Sequence, residues 1–119
     1  MSAFLPFSPA MTAGTVGLTA AVVMTAGSPT AGSATIALSQ NTNALLVVNA
    51  STLVAFVRVA TVSGLTATAS DVPIQPYSGG GGRLLAAPAN QSVYVYAIPQ
   101  ATLAVAGTVY FCPGEGGIE

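Results

Sequence analysis

The chain has 119 residues, and only Arg58, Arg83, Asp71, Glu115 and Glu119 carry charge; lysine and histidine are absent. Charged residues make up 4% of it, against roughly 25% in ordinary soluble domains, so its surface belongs either in a membrane or against other protein. Two arginines cannot neutralise a run of phosphates, which excludes nucleic acid as a partner, and a single cysteine excludes an internal disulfide and Cys-based metal sites.

Residues 1–14 read as an extended, proline-containing N-terminal arm. Pro6 and Pro9 forbid a helix interior and bias the residues before them toward extended backbone. Phe4, Leu5 and Phe7 are the large apolar side chains on this arm, and they either enter the domain's own core or reach a neighbour. The same prolines, with no basic stretch ahead of them, argue against a signal peptide.

Residues 15–119 read as one β-sandwich domain. Residues 18–24 are β-branched enough for a strand, and the Gly/Ser/Pro cluster at 27–32 turns it. In 34–39, period-two alternation puts Ile36 and Leu38 on one face. After the polar turn 40–43 come the two strongest strands, 44–49 and 53–60, joined by a tight Asn-Ala-Ser-Thr turn. In the second, one face carries Leu53, Ala55, Val57 and Val59, and the other carries Val54, Phe56 and Arg58. Both faces are largely apolar, so this strand is covered on both sides or lies at an interface. Arg58 is expected either to snorkel to a rim or to pair with an acid such as Asp71.

The stretch 44–62 is also the longest apolar run, but Asn49, Ser51 and Thr52 interrupt its middle. An arginine near a membrane midplane costs at least ~2.5 kcal/mol, so no spanning helix is expected. A membrane barrel needs at least ~8 strands of ~9–11 residues with aromatic girdles, more than this chain offers.

A short strand is expected at 65–69. The Val-Pro-Ile-Gln-Pro segment 72–76 is extended, and its prolines confine it to a sheet edge. Glycines 79–82 form a loop before 83–86 resume the sheet. No Gly-Lys-Ser/Thr follows, so the run is not a phosphate-binding loop, and Arg83 beside it is solvated or at an interface. Residues 92–98 alternate Val93, Val95 and Ala97 against Tyr94, Tyr96 and Ile98. The last strand is 107–112, with Cys112 a small buried hydrophobe at its end, and Pro-Gly-Glu-Gly-Gly at 113–117 is expected to stop it. About eight short antiparallel strands with regular turns give an all-β, single jelly-roll-like β-sandwich.

Candidate chemistry is sparse. General acid–base work most often uses His, and a Schiff base needs Lys; neither occurs. Asp71 and Glu115 are the only internal acids, and nothing in their spacing brings them together for glycoside hydrolysis. No Gly-x-Ser-x-Gly elbow accompanies the many serines. The reading is therefore not an enzyme, with no cofactor and no metal. Asn49-Ala-Ser51 and Asn90-Gln-Ser92 match the glycosylation pattern without a secretory signal.

The motifs Leu46-Val-Val-Asn49, Val54-Ala-Phe-Val-Arg58, Thr66-Ala-Thr-Ala-Ser-Asp71-Val-Pro-Ile-Gln-Pro76, Val93-Tyr-Val-Tyr-Ala97 and Gly107-Thr-Val-Tyr-Phe-Cys-Pro-Gly-Glu-Gly116 span residues 43–117. In them the chain resembles small proteins from the virion-structure regions of tailed bacteriophages, some of which are capsid decoration (cementing) proteins with a jelly-roll fold. The resemblance implies a homo-oligomer, dimer or trimer, on the outer capsid surface of a virion, where it bridges neighbouring major capsid protein subunits. Phe4, Leu5 and Phe7 on the arm, with Arg58 and Arg83, are then the candidate partner-binding residues. A glycan- or receptor-binding module of a head or tail fibre is the alternative, with Tyr94, Tyr96 and Tyr110 as the candidate aromatic platform.

Overall fold

The computed structural model describes residues 4–9, 11–12, 15–16, 20–27, 32–38, 42–77, 82–88 and 91–118, and only the backbone of those up to 16 and from 115 on. The described strands are β1 (Phe4–Pro9), β2 (Met11–Thr12), β3 (Thr15–Val16), β4 (Ala20–Met24), β5 (Gly32–Ala37) and β6 (Ala44–Asn49). They continue with β7 (Ala55–Ala60), β8 (Val72–Ile74), β9 (Arg83–Ala86), β10 (Ser92–Pro99) and β11 (Gly107–Ile118).

The first sheet is built on β11 and β6, with β9 on the far side of β6. Along the other edge of β11, β4 and β1 lie end to end: Gly107 to Phe111 face Met24 to Ala20, and Gly114 to Ile118 face Pro9 to Phe4. The second sheet has the order β5-β10-β7-β8, and β2 pairs with β3 in a small ribbon. Every strand pairing is antiparallel. Counting from β4 as first to β11 as eighth, the strands facing each other run 1-8-3-6 and 2-7-4-5. Successive strands therefore pass from one sheet to the other at several points, and the all-β sandwich expected from the strand spacing is what forms.

Alternation decides which side chains lie between the sheets. The first sheet turns Val22, Met24, Leu45, Val47, Val109 and Phe111 inward, and the second meets them with Ile36, Val57, Ile74, Val93, Val95 and Ala97. Each large apolar side chain removed from water in this way contributes about 1.5–3 kcal/mol. Val93, Val95 and Ala97 of β10 and Ala55 and Val57 of β7, each set grouped on one face by alternation, are the rows that turn inward, and β8, with Pro73, occupies a sheet edge as expected.

Three expectations fail. Residues 65–69 form no strand, because 61–71 is a bending loop that reaches back over the second sheet. The link between β6 and β7 is short, but it carries the chain from one sheet to the other. The last strand also does not stop at Pro113; it continues to Ile118. The Asn43 N–H donates to the Gly114 carbonyl at 3.0 Å, so strand alternation points the nitrogen of Pro113 to the opposite edge. On that edge the described partners change from Ala20, opposite Phe111, to Pro9, opposite Gly114. Pro113 sits between them, where its missing N–H breaks no ladder bond. Cys112 is consequently not at a strand end. It lies mid-strand and half-buried, its sulfur 3.9 Å from the Pro113 carbonyl oxygen, and burial pushes its thiol above the usual range.

Candidate interaction surfaces

Beneath both faces, the corner between β6 and β7 is held by a buried amide. Asn49 Nδ2 donates to the carbonyls of Leu53 at 2.7 Å and Ile74 at 3.0 Å. Its Oδ1 accepts from the Ser51 N–H at 2.9 Å and the Ser51 hydroxyl at 2.6 Å. One side chain thereby ties β6 in the first sheet to β8 in the second, and all four of its hydrogen-bonding positions are used. Gly107 packs so close to Ser51 that an added Cβ would collide with it. The Asn49-Ala-Ser51 glycosylation pattern is thus closed, because its asparagine is fully buried; Asn90 lies outside the described residues.

The outer face of the second sheet is covered in part by the chain itself, while Ser33, Thr35 and Ala37 of β5 stay exposed on it. Residues 61–71 fold over it, turned by Gly64 at φ 82°, a conformation glycine adopts without Cβ strain. The Tyr96 hydroxyl anchors the loop, donating to the Val62 carbonyl at 3.1 Å and accepting from the Leu65 N–H at 3.4 Å. Ala67 is the loop residue turned fully inward, only 2% exposed. At the far end Arg58 Nε donates to both Asp71 oxygens, at 3.0 and 3.1 Å. Asp71 Oδ2 also takes the Thr68 N–H at 2.7 Å, and the Asp71 N–H returns a bond to the Thr68 carbonyl. Burial alone would raise the Asp71 carboxyl; the Thr68 N–H and the Arg58 guanidinium outweigh it and hold the group below its ordinary value. The ion pair anticipated for Arg58 is therefore real, and it clamps this loop.

Beside the pair, an open cleft of about 450 Å³ lies between Arg58, Asp71 and Val72 on one side and Leu85 and Ala86 on the other. It follows the open side of the sandwich, where β8 and β9 are the respective edges. Arg83, exposed at the start of β9, bridges that opening with a 3.4 Å bond from Nη1 to the Pro73 carbonyl.

No described segment lies over the outer face of the first sheet. Register sets Val23 beside Thr108, then Ala21, Tyr110 and Val48 in one row, then Cys112, Leu46 and Leu84 in the next. No charged residue stands among them. Val23 is 54% exposed, and Tyr110 and Leu84 are each 41% exposed. At the end of β6, Pro76 bridges to Asn49 and brings Tyr77 alongside. Tyr77 and Tyr110 then flank a groove of about 400 Å³ floored by Val48 and Ala50 and closed by Ser51 and Thr52.

The predicted partner residues are thus not one cluster. Arg58 is committed to Asp71 and Arg83 to the β8–β9 opening. The side chains of Phe4, Leu5 and Phe7 lie outside the described residues, although their backbone pairs along β11. Of the three tyrosines proposed as a platform, Tyr96 is buried under the loop and Tyr94 is half-buried; only Tyr110 opens to a groove, with Tyr77 as its partner. Tyr77 escaped the sequence reading because its position depends on the single bridge between Pro76 and Asn49. Among the described residues, no three His, Cys, Asp or Glu side chains come together, and no helix is long and apolar enough to cross a membrane.

By architecture the chain is a two-sheet antiparallel β-sandwich; residues 61–71 lie over part of one outer face, and no described segment lies over the other. Comparison with family models, with curated proteins and with solved structures gave no match to it.

Proposed function

We propose that this chain is a virion structural protein that decorates and stabilises a bacteriophage capsid by bridging neighbouring major capsid protein subunits. The observation that carries the reading is the outer face of the first sheet, whose described side chains are uncharged and largely apolar, on a chain whose Arg58, Asp71 and Arg83 are engaged within its own fold. The strand order 1-8-3-6 facing 2-7-4-5 supports reading the sandwich as a jelly roll, an architecture used in viral capsid domains. A protein of this kind works by burying area, and copies that touch several shell subunits gain from avidity. The arm residues Phe4, Leu5 and Phe7 serve in this reading as an extended anchor on the capsid or on a sister subunit.

The test is stoichiometry on purified particles. The expected result is a copy number near that of the major shell protein, lost when residues 2–12 are deleted and little changed by moderate salt, since there is little charge to screen. Release by moderate salt, or full occupancy by the truncated chain, contradicts the proposed mode of attachment. A second reading, a glycan-binding module of a head or tail fibre, is favoured by the Tyr77–Tyr110 groove alone. A few copies per particle together with a positive sugar array supports that second reading.

A further inference from the structure

We infer that the outer face of the first sheet is a two-fold interface between two copies of this chain, stacked sheet against sheet. The inference deepens the homo-oligomer part of the reading above by naming the surface, and it is testable without any capsid. Three observations carry it.

The first is charge. None of the described side chains on the face is ionic, so two copies meet through them without repulsion and without burying an unpaired ion. A partner with a charged face would find no counter-ion here. The second is area. Four strands spaced at ~4.8 Å, with five residues in β4, six in β6 and four in β9 at ~3.3 Å each, make a face about 19 Å wide and about 13–20 Å long. With side-chain relief and the Tyr77 rim, two such faces bury on the order of 1,000 Å², the threshold for a specific contact.

The third observation is shape. Val23 projects from the β4 edge, and the Tyr77–Tyr110 groove lies near the same level across β11 from it, over β6 and extending to Tyr77. A two-fold axis lying in the interface along the strands exchanges those two sides. It sets Val23 of each copy over the Tyr77 groove of the other and brings Leu84 to the side of Cys112. The projection and the groove are thus related as an isologous contact requires, each copy supplying both. On the second sheet the 61–71 loop occupies part of the corresponding face, and the row left exposed on β5 is Ser33, Thr35 and Ala37 rather than large apolar side chains.

The measurement is sedimentation velocity of the full chain up to about 200 µM, with a dissociation constant on the order of 10 µM expected for a contact of this size. The double variant Val23→Asp/Leu84→Asp is expected to sediment as a monomer at every concentration, with an unchanged melting temperature. Val105→Asp, 69% exposed in the loop before β11, leaves the dimer intact. Cys112 lies next to the centre of the face and reports on it: a short bismaleimide joins two wild-type chains and does not join the double variant. A wild-type chain that stays monomeric overturns the inference, as does a dimer that survives the double substitution or resists Cys112 coupling. A monomer that still coats particles overturns this inference and leaves the capsid reading standing. A dimer absent from particles does the reverse.

Discussion

The two sheets face the same core and have the same number of sandwich strands, yet their outer faces are finished differently. On the second sheet, β10 and β7 present Tyr94, Tyr96, Ile98 and Phe56 outward, and the chain spends eleven residues, 61–71, folding back over that surface. On the first sheet, the outward rows of β4, β11, β6 and β9 carry Val23, Tyr110, Val48, Leu46 and Leu84, and no described segment covers them. Apolar side chains are turned outward in both places. The difference is that on one face the Tyr96 hydroxyl and the Arg58–Asp71 pair bond to the loop, whereas the other face, apart from the hydroxyls of Thr108 and Tyr110, carries small and apolar groups and holds no described loop. A loop laid on a face without such bonds loses water from its backbone groups without gaining partners. Such a face can receive another apolar surface.

That contrast can be tested by placing the same chemistry on each face. Ala67→Asp puts an unpaired carboxylate beneath the covering loop and is expected to lower stability by ~3–5 kcal/mol, read from urea unfolding. A loss under ~1 kcal/mol would mean that the loop is a loose cover. Tyr96→Phe removes the two bonds that anchor residues 62 and 65 and is expected to cost about 1 kcal/mol. Amide exchange should quicken across 61–71 before it changes in β6 or β11, and a uniform change across both sheets would contradict local anchoring.

The clamp at the far end of the loop is pH-dependent in a definite direction. Asp71 has a folded pKa below the ordinary carboxylate value, so the ionised group stabilises the fold above that ordinary value. Its contribution is lost as pH falls through the folded pKa. Asp71→Asn is expected to cost about 1 kcal/mol at pH 7, the pair being partly open to solvent, and to flatten the acid limb of a melting-temperature profile. An unaltered acid limb in the variant would show that Asp71 does not control it. The smallest effect belongs to the bare face. Val23→Asp is expected to change monomer stability by no more than about 0.5 kcal/mol, while self-association, measured alongside, falls sharply. A large loss of stability there would mean that the face is already packed against its own chain.

Short-range pattern made much of this legible from the sequence. Period-two alternation separated Val93, Val95 and Ala97 from the opposite row of β10, and Ala55, Val57 and Val59 from the opposite row of β7, because a strand has only two faces; which row meets the core came from the structure. The two apolar faces of 53–60 pointed to a strand covered on both sides or at an interface. Arg58 was left either snorkelling to a rim or pairing with an acid such as Asp71, and the structure shows the pair.

What the sequence did not settle was non-local. The continuation of β11 through Pro113 depends on where the edge passes from β4 to β1, which places the proline's missing N–H away from any ladder partner. Asn49, read as a turn residue, became the buried tie between the sheets because Ile74, 25 positions later, brings its carbonyl to it. The sequence by itself determined the class of the chain: charge-poor, all-β, with each strand's two rows separated by alternation. Only the tertiary structure decided which outward row the chain would cover and which it would leave open, because that choice depends on hydrogen bonds between residues more than 30 apart, such as Tyr96 to Val62 and Leu65.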